Sequence, residues 1–344
     1  MTSERSGHAV LSSLASRPDH ASVNSGAVPG AGLSAPLRGI TFILVGVSMF
    51  PLQDVVIKKL SGHYPLLQLV CVRCLVSVGP LAGLAWWERG LAGLWTRRPW
   101  LHATRASLGV LSFTSYYMAI AALPLAEVAA LAFAAPLFLT ALSALILGEP
   151  VAHDRWLAVG IGFFGVLVVL RPGSGVFEPA ALLAVASALC YAGSQTITRH
   201  LGRTESGATM ALATTLVFLL VAVVSRVVTG DHGWGTGLHP SLAFLARGWV
   251  WRGWGELVLI AAAGLVACVG GYALVQAYRS APASTVAPFE YVMILWAVLW
   301  GYVFWGDVPG PFTIVGVALT IGAGLYVANR EARGHRDPAL GGSR

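Results

Sequence analysis

Charge is what this sequence has least of. Asp, Glu, Lys and Arg make up 11% of its 344 residues, and mean hydropathy is +0.72. A soluble domain carries about 25% charge. So few charges cannot cover a water-facing surface, so lipid is the expected solvent for much of the chain. Cysteine is also scarce. Cys71, Cys74, Cys190 and Cys268 all lie in apolar segments, where a thiol packs as a small hydrophobe. The Cys71-x-x-Cys74 spacing has neither the second pair nor the nearby histidine of a metal or redox site.

Enzyme signatures are missing as well. There is no nucleophile elbow, no zinc-protease helix, no phosphate-binding lysine loop and no dinucleotide glycine fingerprint. His153-Asp154 lacks a third ligand. These absences point away from catalysis and from any bound cofactor. They also exclude ATP-driven transport by this chain alone. The net charge of +7 comes from Lys and Arg placed in gaps between apolar runs, which argues against nucleic acid, since that needs a basic stripe. Residues 1–36 lack the apolar core of a signal peptide. They are expected to form a disordered cytoplasmic tail, as are residues 331–344.

What is present is a series of apolar runs of crossing length, about 20 residues each. They predict ten spans, at 38–58, 65–87, 102–123, 126–147, 155–171, 178–198, 206–228, 255–278, 284–305 and 311–329. The expected class is an all-α membrane protein of ten transmembrane helices, built as two inverted five-helix repeats. The repeats would be residues 37–174 and 175–330. With both termini inside, 15 basic residues fall on the cytoplasmic side against 6 outside, as the positive-inside rule requires. Lys58 and Lys59 run against that count. Tryptophans at span ends, such as Trp86, Trp87, Trp95, Trp100, Trp234, Trp249, Trp251 and Trp254, suit the aromatic belts of a membrane, here a bacterial-type inner membrane.

The halves resemble each other. A shift of 158 residues lays Pro124 on Pro282, Ala129 on Ala287, Leu137 on Leu295, Gly148 on Gly306 and Glu149 on Asp307. A shift of 141 lays Lys58-Lys59-Leu60 on Arg199-His200-Leu201. Five spans per half is an odd number, so the second half enters from the opposite side. That arrangement builds alternating access around a site near the midplane.

Ionic groups within the spans mark the candidate site, because a charge in hydrocarbon is costly and usually faces a pathway. Glu290 is the sole charge in residues 285–304. It reads as a proton- or cation-coupling carboxylate, with the alternative of a structural hydrogen bond. Arg73 sits mid-span and needs a partner: Glu290, Asp54 or freed carbonyls. It is a candidate for an anionic substrate group or for a structural ion pair. Asp54 has two readings, an i,i+4 pair with Lys58 or a place on a cavity wall. Tyr116 and Tyr117 give the third span a polar stripe, and Tyr191 and Gln195 do the same in the sixth. Tyr291 flanks Glu290. Glycines in the fifth span (Gly160, Gly162, Gly165) and tenth span (Gly316, Gly322, Gly324) suggest close scaffold packing or a homodimer contact.

The chain resembles the drug/metabolite transporter superfamily, EamA type. The resemblance rests on Arg73, Pro124…Ala126-Glu127-Val128…Pro136-Leu137-Phe138 and Leu147-Gly148-Glu149-Pro150 in the first half. In the second it rests on Pro282-Ala283-Ser284-Thr285-Val286…Trp305-Gly306-Asp307. The second half departs at Ile294, where Pro136 would map, so a bend in the ninth span is not expected from proline. The resemblance implies secondary transport of a small metabolite or drug-like compound, often as export. Alternatives are a vitamin-type importer, a channel or a non-transporting scaffold.

Overall fold

Backbone amides in lipid find no water, so a membrane chain must satisfy them within each segment. Helix meets that demand here. The computed structural model describes residues 35–90, 98–147, 153–171, 178–201, 207–229, 233, 237–280 and 287–334, and no strand occurs among them. The helices are α1 (Ala35–Leu60), α2 (Leu66–Arg89), α3 (Pro99–Ile120), α4 (Leu125–Ala132), α5 (Ala135–Leu147), α6 (His153–Leu170) and α7 (Ala180–Leu201). They continue with α8 (Gly207–Thr229), α9 (Pro240–Ala246), α10 (Trp254–Ser280), α11 (Val292–Trp305) and α12 (Pro311–Gly334). A 3-10 segment, Ala287–Tyr291, precedes α11. Of the expected tails, residues 1–34 and 335–344 lie outside the described residues, as do Trp95, Trp234 and Glu149, whereas residues 331–334 continue α12.

Every expected span contains helix. Six helical stretches are long and apolar enough to cross a membrane: Leu37–Leu60, Leu66–Glu88, Leu125–Leu142, Ala180–Thr198, Gly207–Val228 and Trp254–Leu274. Three shorter apolar helices follow the same pattern, Trp156–Leu170, Phe289–Trp305 and Pro311–Tyr326. Trp86, Trp87, Trp100, Trp251 and Trp254 are exposed near helix ends, as interface anchors are.

The fourth span is broken. α4 stops at Ala132 and α5 starts at Ala135, with tight bonds from Ala134 N–H to Leu131 O (3.1 Å) and from Leu137 N–H to Ala134 O (3.0 Å) between them. In the ninth span a 3-10 turn, Ala287–Tyr291, runs directly into α11. Phe133 and Tyr291 lie 158 residues apart, the same offset that aligns the two halves. Their rings meet, centroid to centroid, at 5.1 Å.

Two sets of helices pack closely within themselves. One set is α1, α2, α8 and α10. The other is α3 to α7 with α11 and α12. They meet along a seam where α3 faces α8 and α1 faces α11. In the second set, α6 and α12 approach nearly backbone to backbone. A Cβ on Gly165 would lie 2.8 Å from the Gly316 carbonyl oxygen. Of the glycines expected to serve scaffold packing or a dimer, Gly162, Gly165 and Gly316 join α6 to α12 inside one chain, Gly324 meets Tyr291, and Gly160 and Gly322 have nothing within 4 Å of a Cβ. Outward, α6 presents exposed Leu157, Ile161, Phe164 and Leu167.

α9 has no counterpart among the expected spans. His239 caps it, accepting from Ser241 N–H at 3.4 Å, and Pro240 occupies the first turn. Phe244 is fully buried beneath it. The segment that follows is clamped to α2: Gln68 donates to Val250 O (2.6 Å) and accepts from Val250 N–H (3.0 Å). Arg247 donates to the carbonyls of Ser61 (2.6 Å) and Tyr64 (3.2 Å).

Candidate transport site

Asp54 lies inside the bundle, 6% exposed. Pro51 stands one turn earlier in α1, where its missing N–H leaves the Val47 carbonyl without a helical donor. The Asp54 carboxyl points across the seam to α3. Tyr117 donates to Oδ1 at 2.6 Å and Tyr116 donates to Oδ2 at 3.0 Å. Gln53, equally buried, donates its amide N–H to the Tyr117 hydroxyl. The i,i+4 pairing of Asp54 with Lys58 is not made. Lys58 turns to Asp307 (3.6 Å), to the Leu123 carbonyl (2.8 Å) and to the Trp305 ring (5.0 Å).

Arg73 joins the same layer from α2. It donates to Gln53 Oε1 at 3.3 Å, and its guanidinium lies 4.2 Å from the Phe113 ring and 5.5 Å from that of Phe218. Such stacking contributes about 0.5–2 kcal/mol, more when dry. Asp54 is within electrostatic reach, without a direct bond. Gly264 of α10 fixes where Arg73 sits. A Cβ there would come within 3.0 Å of the Arg73 backbone, and the Gly264 carbonyl accepts from Ser77 Oγ at 3.1 Å. Of the partners expected for Arg73, only Asp54 shares its layer. The residues that hold it, Gln53, Phe113 and Phe218, lie 20 or more residues away in sequence, and of them only Phe113 is across the seam.

Glu290, Tyr291, Tyr191 and Gln195 form a second group. Tyr191 accepts from Gln195 Nε2 at 2.7 Å, and Glu290 acts electrostatically on both Tyr191 and Tyr291. Tyr191 is 41% exposed. The Tyr291 hydroxyl lies against Gly324 of α12, where a Cβ would leave it no room. The eight expected site residues thus fall into two groups, one at the seam and one at the 3-10 turn in the ninth span.

Between α1, α10 and α11 a cleft of about 310 Å³ opens, lined by Gln53, Val56, Ala263, Trp300 and Phe304 among others. Cys71 and Cys74 are buried as free thiols, as packing residues would be.

Comparison with known proteins bears on what such a bundle does. The EamA-like transporter family matches residues 37–171. A riboflavin transporter of Rhizobium johnstonii is 35% identical over 250 residues, covering 73% of this chain and 77% of that protein. The chain belongs to the EamA-like transporter family. It is an all-α, multi-pass membrane protein and a transporter of small molecules, of the drug/metabolite transporter superfamily. An S-adenosylmethionine uptake transporter of Rickettsia felis is 26% identical to this EamA-like chain, covering 88% of it and 96% of the relative. A pseudopaline exporter of Pseudomonas aeruginosa is 27% identical, covering 85% and 96%. Among solved structures, one crystal structure matches with a TM-score of 0.56 at 19% identity, over 86% of this EamA-like chain and 98% of the other. That likeness speaks to fold alone.

Proposed function

We propose that this protein is a secondary carrier for a flat heteroaromatic metabolite of the flavin type. Its chain is two inverted five-helix repeats, residues 37–174 and 175–330, and it works by alternating access between the two helix sets, each of which draws helices from both repeats, in the plasma membrane with both termini cytoplasmic. The observation that carries the reading is the layer at the seam. Asp54, Gln53 and Arg73 come from one helix set, and Tyr116, Tyr117 and Phe113 come from the other. Rings for stacking stand beside donors and acceptors for a heterocycle's edge, the combination that fixes an aromatic ligand's orientation. Support for a flavin comes from the Rhizobium johnstonii relative. Support for the repeats comes from Phe133 and Tyr291, 158 residues apart, each next to a departure from regular α-helix and with their rings in contact.

Uptake is the favoured direction, following the riboflavin and S-adenosylmethionine relatives. Export, which the pseudopaline relative favours, is the second reading. Protons couple through Asp54 and Glu290, the two carboxylates that lie within the layer and at the 3-10 turn. A homodimer through the fifth and tenth spans uses the outward apolar rows of α6 and α12, since Gly165 and Gly316 already pack against each other.

Purified protein in liposomes tests the substrate. Saturable riboflavin flux is expected. Arg73→Ala is expected to lower it at least tenfold, and to lower the melting temperature because Phe113, Phe218 and Gln53 lose their common partner. Absence of riboflavin flux in either direction overturns the flavin assignment. Unchanged flux in Arg73→Ala removes this layer from the site.

A further inference from the structure

The seam carries three polar layers rather than one. The Asp54 layer is the middle one. Four residues along α1, about 6 Å at 1.5 Å per residue, Lys58 bridges the two helix sets. Its ammonium meets Asp307 beyond α11, the Leu123 carbonyl before α4 and the Trp305 ring. Glu127 is within electrostatic reach and is itself engaged by Thr313 Oγ1 at 3.4 Å. Asp307 is placed for this by Gly306, whose left-handed backbone (φ 70°) lets the amides of 306 and 307 bond back to the carbonyls of Tyr302 (2.9 Å) and Gly301 (3.2 Å).

The third layer is at the opposite end. Arg105 lies twelve residues before Tyr117 on α3, or about 18 Å away. It is 8% exposed and donates across the seam to α8, to Met210 O and Thr214 Oγ1, both at 2.5 Å. Ser194 of α7 holds the Arg105 carbonyl at 3.1 Å. The outer and inner layers are thus about 24 Å apart by helix rise, close to the depth of the hydrocarbon core. Each is a cation anchored on one helix set and gripped by the other.

We infer that these two cation-centred layers are the carrier's alternating gates, Lys58–Asp307 outside and Arg105–Thr214 inside. This rests on the two-sided carrier proposed above. Helix sets that part at one end must break the contacts that cross the seam there, and these are polar contacts that cross it. Both layers are made in this structure. The inference also accounts for a lysine at the outer end, where the positive-inside rule disfavours one. Lys58 is kept there by an aspartate, a carbonyl and an indole.

Two measurements test it. In the first, the pairs Lys58→Cys with Asp307→Cys, and Arg105→Cys with Thr214→Cys, are bridged by a short reducible bis-thiosulfonate reagent. Bridging either pair should cut riboflavin flux to background, and reductant should restore it. Single-cysteine variants treated alike control for the native thiols. In the second, Val56→Cys reports access from outside, through its rate of labelling by a membrane-impermeant maleimide. Lys58→Ala or Asp307→Ala should speed labelling at least fivefold. Lys59→Ala, on an exposed neighbour, should not. Exchanging the charges, Lys58→Asp with Asp307→Lys, should return the rate to its starting value. Flux that persists through a bridged pair, or labelling that ignores Lys58, overturns the gates while leaving the carrier intact. Failure of the unmodified protein to move riboflavin overturns the substrate reading instead, and the labelling arm still decides the outer gate.

Discussion

Tyr116 and Tyr117 are adjacent in sequence, share one carboxyl group and differ in what else they do, so removing each hydroxyl separately weighs the middle layer. Tyr117→Phe deletes the 2.6 Å bond to Asp54 and leaves the Gln53 amide, 3% exposed, without its acceptor. A hydrogen bond to a charged group contributes about 1.5–3 kcal/mol, and an orphaned buried donor costs about 1–3 kcal/mol more. Tyr116→Phe deletes only the 3.0 Å bond. Asp54 keeps one donor in either variant. The expected loss is therefore about 1.5–2 kcal/mol for Tyr116→Phe and about 3–4 kcal/mol for Tyr117→Phe, at the low end of each range because the helices can adjust. If the layer binds substrate, part of that difference appears as weaker half-saturation, by a factor of about 5–10 between the two variants. The assay is thermal melting in detergent with and without riboflavin, alongside liposome flux. Equal effects of the two variants, or a larger effect of Tyr116→Phe, refute the hydrogen-bond order described here.

Gly165→Ala should destabilise by about 1–3 kcal/mol, the usual cost of overpacking, because α6 and α12 must separate to admit a methyl 2.8 Å from the Gly316 carbonyl; a melting curve coincident with the parent's counts against that contact. Glu290→Gln should flatten the pH dependence of flux in liposomes while the protein melts at its usual temperature, and pH-dependent flux that survives takes Glu290 out of coupling.

The helices were legible because crossing length and hydrophobicity are local properties, readable from residues such as 206–228 alone. Partners were not. Spacing on one helix pairs Asp54 with Lys58, but the fold gives Asp54 two tyrosines from α3 and gives Lys58 an aspartate about 250 residues away. Arg105 counted as one of many positive charges near the cytoplasm, and only the approach of α8 shows it buried and bonded. The 3-10 turn at Ala287–Tyr291 went unread because Pro136 of the first half maps to Ile294, and the turn lies upstream of that position. α9 did leave a signal, His239 before Pro240, a capping residue followed by proline in the first turn. It was too short to register among spans of crossing length.

The clamp between Gln68 and Val250 gives the loop around it an unusual property for a connection outside the bundle. With Phe244 buried and Arg247 holding two carbonyls, that connection is tied to the start of α2 while α9 itself rests on α3. It therefore straddles the two helix sets, and a fluorophore placed there would sense strain across the seam rather than the wander of a tether.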